Sequence, residues 1–351
     1  MNSEVIRVGV IGAGGNTRKR HIPGLLEQAN VDIVAVANRT RESSATAAAE
    51  FGIPRACDDW REVIDNPDID AVCIGTWPYM HSTLTCMALD AGKHVLVEAR
   101  MASSFSEAQT MLAASRRNPH LIAQIVPAPH TLPLDRTIRE MIAEGFIGDL
   151  IAVDARITSG STFPQADSAL HWRHERQFSG NNAMSMGIWY EALTRWVGQT
   201  TTVQACAQVV VSHRRDANGR RTGISIPDHI DTLSTLAQGG QMRLSVSTVV
   251  GHPPPTTVWV FGHEGTLRVS PGADGELALW AGRATDSDLV EVVIPESKRG
   301  GWRVEEEFIR AIRAEETITH TDFVTGCHYM AWTDAVAESW RTGNRVTVQS
   351  A

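Results

Sequence analysis

The chain has 351 residues, 42% of them hydrophobic and 21% charged, which is the composition of a folded globular protein long enough for two domains. Its formal net charge of −8 argues against a nucleic acid or an anionic membrane surface as its partner. The five cysteines lie far apart with no C-x-x-C pair, so we expect neither a disulfide framework nor a metal site.

The first predicted element is a buried parallel strand at residues 5–11, followed by a glycine-rich turn and then by a helix opening at residues 21–26. Thr17 stands where G-x-G-x-x-G has its third glycine. Glycines let the backbone approach a pyrophosphate, and a helix N-terminus offers free N–H groups and partial positive charge. The turn therefore predicts a dinucleotide site. The residues expected to contact the cofactor here are Gly12, Gly14, Gly15, Asn16, Thr17 and Arg18.

The second predicted strand, at residues 31–37, ends at Asn38 and Arg39. A site for NAD usually has an acidic residue at this point, which binds the hydroxyls of the adenosine ribose. A neutral residue beside an arginine suits a 2′-phosphate instead. We therefore expect Asn38 and Arg39 to contact the cofactor and NADP to be preferred, with NAD left open because a neutral position can also serve it.

Helices and strands alternate through the rest of the first 125 residues, which predicts a parallel, doubly wound sheet in a dinucleotide-binding domain at 1–125. Ligands of such sheets bind at the carboxyl ends of the strands, where the loops at 12–18, 76–81 and 98–101 are expected to meet. The further residues expected to contact the cofactor in these loops are Thr76, Trp77, His81 and Glu98.

From about residue 127 the pattern changes to segments that alternate apolar and polar residues and are separated by Gly, Pro, Asp and Asn. They predict a second, α+β domain at 126–351, built on a large, mainly antiparallel open sheet and closed by helices at 304–314 and 321–341. Because helices pack on one face of such a sheet, the other face stays exposed unless another surface packs against it. We expect a homodimer or homotetramer formed through this sheet.

Several stretches of the chain follow a known family pattern, including Ala-Gly-Lys-His-Val at residues 91–95. The others are residues 8–14, 70–74, 145–150 and 262–267, together with His81, Trp172 and Arg173. On these stretches the chain resembles the Gfo/Idh/MocA family of sugar and inositol dehydrogenases. The resemblance implies an N-terminal Rossmann domain, a C-terminal substrate domain, and NAD(P)-dependent oxidation of a carbon of a sugar or polyol.

The chain departs from this family at the positions that handle protons. The family typically has Glu-Lys-Pro after the fourth strand, where this chain has Glu98-Ala99-Arg100. The family also has an Asp and a His four residues apart, whose places are taken by Ser185 and Trp189. A general base contributes about 10²–10⁴ in rate, so we expect a non-standard acid/base set.

Four residues are candidates for the missing proton carrier, each with an alternative role. They are Arg100, His171, Tyr190 and Glu191. His171 can be a surface or core histidine without a catalytic role. Tyr190 can pack in the core, and Glu191 can pair with Arg195 at (i, i+4). The residues expected to line the substrate pocket are Trp172, Arg173, Ser185 and Trp189.

The sequence leaves three functions open. The first is an NAD(P)-dependent oxidoreductase that acts on a sugar, keto-sugar or cyclic polyol. The second is a redox-neutral lyase or glycosidase with a retained cofactor, and the third is a non-catalytic sensor of NADP(H) or a sugar. No segment fits a signal peptide or a membrane span, so we expect a cytoplasmic protein.

Overall fold

The computed structural model describes residues 5–158, 163–165 and 167–350. The chain forms two compact units, of which the first comprises Met1–Pro127 with Arg303–Met330, and the second Ala128–Trp302 with Ala331–Ala351. The predicted division assigned everything after residue 125 to the second domain, whereas the structure groups residues 303–330 with the first unit. Within that unit, the amide of Gln124 donates to the Glu307 carboxylate at 2.9 Å, which joins the last strand of the first sheet to the C-terminal segment.

The first unit contains a six-stranded parallel sheet in the order β3-β2-β1-β4-β5-β6. Its strands are β1 (Ile6–Ile11), β2 (Val31–Ala37), β3 (Arg55–Cys57), β4 (Ala71–Ile74), β5 (His94–Val97) and β6 (Ala123–Ile125). Its first helices are α1 (Ile22–Leu26), α2 (Arg41–Phe51), α3 (Arg61–Ile64), α4 (Pro78–Asp90) and α5 (Phe105–Arg117). This is the predicted doubly wound fold.

Local sequence explains where these helices begin and end. Thr40 caps α2 by accepting a hydrogen bond from the Ser43 amide, and Gly52 ends that helix in the left-handed conformation with φ +66°. Helix α4 begins at Pro78, a residue suited to the first turn of a helix, and therefore inside the loop predicted at 76–81. His81 therefore lies in the helix and not in the loop before it.

The second unit is built on a nine-stranded sheet in the order β16-β15-β14-β13-β7-β12-β11-β8-β17. Strands β7 and β12 are parallel, and the other pairs are antiparallel, as predicted. The strands are β7 (Leu150–Thr158), β8 (Thr200–Gln208), β11 (His229–Leu236), β12 (Gln241–Ser247), β13 (Thr257–Gly262), β14 (Gly265–Pro271), β15 (Leu277–Arg283), β16 (Val290–Glu291) and β17 (Val346–Thr347). A separate hairpin consists of β9 (His213–Arg215) and β10 (Arg221–Gly223).

Among the described residues, the helices that come before β7 or between β7 and β8 are α6 (Leu132–Ala143), α7 (Arg176–Ser179) and α8 (Met186–Val197). Along β13 the side chains alternate, with Val258 and Val260 buried and Trp259 and Phe261 partly exposed. One face of the sheet thus joins the core of the second unit. Two further helices, α9 (Val304–Ile312) and α10 (Phe323–Thr342), lie between β16 and β17 in the chain.

Candidate functional site

The glycine turn is shaped by close backbone approaches. Gly12 has φ +89°, and a Cβ there would lie 2.6 Å from the Thr76 nitrogen, so this position requires glycine. Thr17 is buried, and its hydroxyl donates to the Gly12 carbonyl at 3.1 Å. A Cβ on Gly75 would overlap the Thr17 hydroxyl. Gly75 therefore supplies the space that a glycine at position 17 would otherwise provide.

The turn also has the features that a dinucleotide needs. A Cβ on Gly15 would meet nothing within 4 Å, so the backbone there is open. The Thr76 hydroxyl, in the loop beside the turn, is buried and has no hydrogen-bond partner among the described residues. An open glycine backbone and an unsatisfied hydroxyl next to it fit a phosphate-containing ligand.

At the end of β2, the exposed Arg39 guanidinium follows the Asn38 side-chain amide, which is held by hydrogen bonds. Asn38 accepts from the Ala13 nitrogen at 2.7 Å and donates to the Ser43 carbonyl at 3.0 Å, so its side chain fixes the glycine turn against the start of α2. The Arg39 guanidinium is exposed and lies 5.3 Å from the centre of the Trp77 ring. Arg18 pairs with Glu50 and donates to the Ala13 carbonyl at 3.0 Å.

Four side chains that we call the His21 cluster, namely Asn16, His21, Glu98 and Glu305, meet in the first unit. The fully buried His21 ring contacts Glu305 at 2.5 Å and Glu98 at 3.0 Å. Burial alone would lower the pKa of His21, but the hydrogen bonds to Glu305 and Glu98 outweigh it and raise the pKa to about 9. Burial alone would raise the pKa of Glu98, but the contacts with His21 lower it to about 2.

His81 and Arg100 are buried in the first unit. The His81 ring nitrogens lie 3.0 Å from the Arg100 carbonyl and 2.9 Å from the Thr76 carbonyl, so this side chain ties together two of the predicted ligand loops. The Arg100 guanidinium lies 4.8 Å from the centre of the Tyr329 ring, and the Tyr329 hydroxyl accepts from the Met101 nitrogen at 2.6 Å. The Ala99–Arg100 peptide bond is cis.

Two of the candidate proton carriers lie in the core of the second unit. Tyr190 stacks on Trp332 with ring centres 4.0 Å apart, and its hydroxyl lies 2.8 Å from the Thr200 hydroxyl. Burial raises the pKa of Tyr190 to about 12. Glu191 is fully buried, and its carboxylate accepts from the Ala128 nitrogen at 2.9 Å. These contacts favour a packing role over proton transfer for both residues.

The N-terminal turn of α8 brings an unexpected histidine next to Trp189. The Trp189 ring, 5% exposed, stacks on the exposed His130 ring with centres 5.2 Å apart and planes 11° from parallel. Ser185 precedes the helix, and its hydroxyl is buried without a hydrogen-bond partner among the described residues. His130 was not among the residues predicted from the sequence.

The predicted pocket residues Trp172 and Arg173 form a short helical turn in the second unit. The Arg173 guanidinium lies 4.2 Å from the Trp172 ring centre. His171 caps this turn by accepting from the Arg173 nitrogen at 3.3 Å. Burial and the Arg173 charge lower the pKa of His171, so its ring is neutral at pH 7.

Two family models match the chain, one described as "Oxidoreductase family, NAD-binding Rossmann fold" at residues 6–124 and one as "GFO/IDH/MocA C-terminal domain" at residues 136–268. Together they extend over both units. The chain belongs to the GFO/IDH/MocA oxidoreductase family.

Relatives within the GFO/IDH/MocA family include a levoglucosan dehydrogenase from Pseudarthrobacter phenanthrenivorans, 25% identical over 66% of this chain and 63% of that protein. A 1,5-anhydro-D-fructose reductase from Ensifer adhaerens is 32% identical over 51% of this chain and 52% of its own length. The matches thus span about half to two thirds of these two relatives. A solved structure of levoglucosan dehydrogenase in complex with NADH and levoglucosan shares the fold, with a TM-score of 0.85 over 99% of this chain and 100% of that one at 22% identity.

Within 5–158, 163–165 and 167–350, no three His, Cys, Asp or Glu side chains are grouped so that they could hold a metal ion. No helix in this part of the chain combines the length and apolar character needed to cross a membrane.

Proposed function

We propose that this chain is an NAD(P)-dependent oxidoreductase that acts on a sugar, keto-sugar or cyclic polyol. The observation that carries the proposal is the glycine turn at residues 12–17, with its open backbone at Gly15 and the unsatisfied Thr76 hydroxyl beside it. The substrate class rests on relatives whose names specify sugar derivatives, namely levoglucosan and 1,5-anhydro-D-fructose.

NADP is the cofactor that the end of β2 favours. Asn38 uses its amide to anchor the glycine turn, and neither Asn38 nor Arg39, the two residues directly after β2, has a carboxylate to bind the ribose hydroxyls. The exposed Arg39 guanidinium offers a charge that a 2′-phosphate would neutralise. Two of the other residues expected to contact the cofactor, Thr17 and His81, are buried with their polar atoms bonded to backbone carbonyls, so we propose that they shape the site without touching the ligand. The remaining cofactor contacts stay proposals, with Asn16 and Glu98 linked through the His21 cluster.

His130 is the residue that we propose as the proton carrier. A bound nicotinamide cofactor would supply a hydride acceptor for the substrate carbon, whose hydrogen would depart with the two electrons of the C–H bond. The hydroxyl proton then needs a base as the carbonyl forms, and an imidazole nitrogen of His130 can take it and release it to solvent. His130 is exposed and is held against Trp189, in the helix turn where the family places its own acid/base residues.

The turn at residues 171–174 is the proposed platform for the sugar. A tryptophan ring offers a flat apolar surface, and the Arg173 guanidinium over Trp172 adds hydrogen-bond donors for hydroxyl groups. Arg100 and His171 stay secondary candidates for proton transfer, because the first is buried against Tyr329 and the second caps its own turn.

The test is to incubate the protein with NADP or NAD and a panel of sugars, keto-sugars and inositols while following nicotinamide absorbance and substrate mass together. Matched changes in both support the proposal and identify the substrate. A new product with unchanged net cofactor absorbance would replace it with redox-neutral chemistry. Tight cofactor binding with no product from the panel would favour a sensor instead.

A further inference from the structure

The hydrogen bonds of the His21 cluster determine its charge. The Nδ1 atom of His21 lies 2.5 Å from a Glu305 oxygen, and Nε2 lies 3.0 Å from a Glu98 oxygen. Ionised carboxylates only accept hydrogen bonds, so both ring nitrogens must carry a proton. His21 is therefore an imidazolium between two carboxylates, with no exposure to solvent of its own.

Glu98 is the member of the cluster that reaches the ligand edge of the sheet. One of its oxygens accepts from Asn16 at 2.5 Å as well as from His21, and the other accepts from the Ala99 nitrogen at 3.0 Å. Its side chain is 15% exposed, and the oxygen that accepts from Ala99 retains a lone pair with which it could accept from a ligand. Because the adenosine ribose belongs at the end of β2 and the pyrophosphate at the β1 turn, the second ribose belongs on the β4 and β5 side, where Glu98 follows β5.

Glu305 reaches this cluster from the first turn of α9. It is 3% exposed, and it passes so close to α1 that a Cβ on Gly24 would lie 2.9 Å from its carboxylate oxygen. Gly24 thus leaves the space through which Glu305 contacts His21. The contact joins residues 284 positions apart in the chain.

We propose that His21 and Glu305 are positioning residues for the cofactor. The imidazolium, held by Glu305, fixes the Glu98 carboxylate so that the oxygen that accepts from Ala99 also accepts from a hydroxyl of the second ribose of the dinucleotide. The inference rests on the proposed function, because it takes the ligand to be a nicotinamide dinucleotide.

The test compares Glu305→Gln with the matched control Glu307→Gln. Glu307 lies on the same helix, is also 3% exposed, and accepts from Gln124 and from the Thr319 nitrogen, both at 2.9 Å. Both variants remove one buried negative charge from α9. Only Glu305→Gln weakens the hydrogen bond to His21. Each protein is titrated with NADPH and NADH by fluorescence and with 2′,5′-ADP, which lacks the second ribose, by calorimetry.

We expect Glu305→Gln to weaken binding of the full dinucleotide by roughly tenfold, because one charge-assisted hydrogen bond is lost. Binding of 2′,5′-ADP should be unchanged. Glu307→Gln should leave both affinities unchanged. Equal losses for the two ligands, or no loss for the dinucleotide, would overturn the inference. If Glu305→Gln behaves as expected but the substrate panel gives no oxidation or reduction, the inference stands and the proposed activity fails.

A second readout separates positioning from simple packing. The titratable groups that interact with His21 or its two carboxylates include Glu98, Glu305, the buried Cys73 thiol, whose pKa burial raises well above its usual value, and the buried His81, whose pKa burial lowers although Glu98 opposes that shift. Dinucleotide affinity in the unaltered protein should hold up to about pH 9, where His21 loses its proton. In Glu305→Gln the dinucleotide affinity should begin to fall at a lower pH. In Glu307→Gln it should fall at the same pH as in the unaltered protein. An unshifted decline in Glu305→Gln would contradict the positioning role.

Discussion

At the scale of single residues, the stacked pair of His130 and Trp189 supports a prediction about proton transfer. If His130 takes the substrate proton, His130→Gln lowers kcat by about 10²–10⁴ because general-base assistance is lost. Free imidazole should restore part of the activity of His130→Ala by occupying the vacated space. The measurement is kcat with saturating cofactor and substrate.

The comparison variant for this prediction is His171→Gln, because His171 was proposed from the sequence and is also an exposed histidine of the second unit. Its kcat should remain within a few-fold of the unaltered protein. A large loss in His171→Gln with none in His130→Gln would assign the proton to His171 instead.

Arg39 leads to a second prediction at this scale. Replacing it in Arg39→Ala should weaken NADPH binding by about tenfold, since the 2′-phosphate loses a charge-assisted contact, and should leave NADH binding nearly unchanged. The neighbouring Arg41 is the control, because it already pairs with Asp58 at 2.6 Å. Fluorescence titration of the two cofactors measures both affinities. Equal losses for NADPH and NADH would contradict the preference for NADP.

At the scale of elements, the sequence predicted the long, strongly patterned segments well. Strand β1 covers residues 6–11 of the strand predicted at 5–11, and β2 covers the whole strand predicted at 31–37. Strands β3 and β6 were missed because three residues are too few to show a period. At the edge of the second sheet, β16 is reduced to Val290 and Glu291, which pair with β15.

The parts of the candidate site that could be predicted are those whose residues are close together in the sequence. The glycine turn is a contiguous motif, so its position followed from the sequence. Glu305 could not be found this way, because its partner His21 lies 284 residues away. His130 was missed because it follows β6, which was itself not predicted, and the loops at the carboxyl ends of strands are where ligand-binding residues are sought.

The glycine turn and the loop after β4 support a prediction about packing between elements. Gly75→Ala should destabilise the protein by about 1–3 kcal/mol, because its Cβ would overlap the Thr17 hydroxyl and the Gly12 carbonyl. The double variant Thr17→Gly with Gly75→Ala should recover only part of the loss, since the overlap with Gly12 remains. Thermal unfolding measures both, and Gly301→Ala, where a Cβ meets nothing within 4 Å, is the control. An unchanged Tm for Gly75→Ala would refute the overlap.

The His21 cluster makes the stability of the first unit depend on pH. The folded state raises the pKa of His21 from 6.5 to about 9, so this stabilisation is complete below pH 6.5 and is lost as the pH rises to about 9. The expected change in the free energy of unfolding is about 3 kcal/mol, measured as a falling urea midpoint between pH 6.5 and 9. His21→Gln should remove this slope. A slope that persists in His21→Gln would place its origin in other groups.

At the scale of the whole molecule, the outer face of the second sheet supports the homo-oligomer proposed from the sequence. Along β13 to β15 this face carries an aromatic and cationic ladder, in which Trp259 stacks on Phe261 and the Arg268 guanidinium lies 4.5 Å from the Trp280 ring centre and 5.5 Å from that of Trp259. Aromatic and arginine side chains are enriched in the centres of protein interfaces. A second copy of this sheet would give the ladder a matching partner across a two-fold axis.

The corresponding prediction concerns mass in solution. Light scattering at micromolar concentration should give at least twice the 38.3 kDa of one chain. Arg268→Glu should reduce this to the single-chain mass. A two-fold axis would bring the two new carboxylates close together, and each subunit would also lose the guanidinium that lies over the Trp259 and Trp280 rings. Arg341→Glu, at the exposed end of α10, makes the same charge change outside β13 to β15 and should leave the mass unaltered. A single-chain mass for the unaltered protein would remove the case for a homo-oligomer. An oligomer that survives Arg268→Glu would show that the subunits meet through another surface.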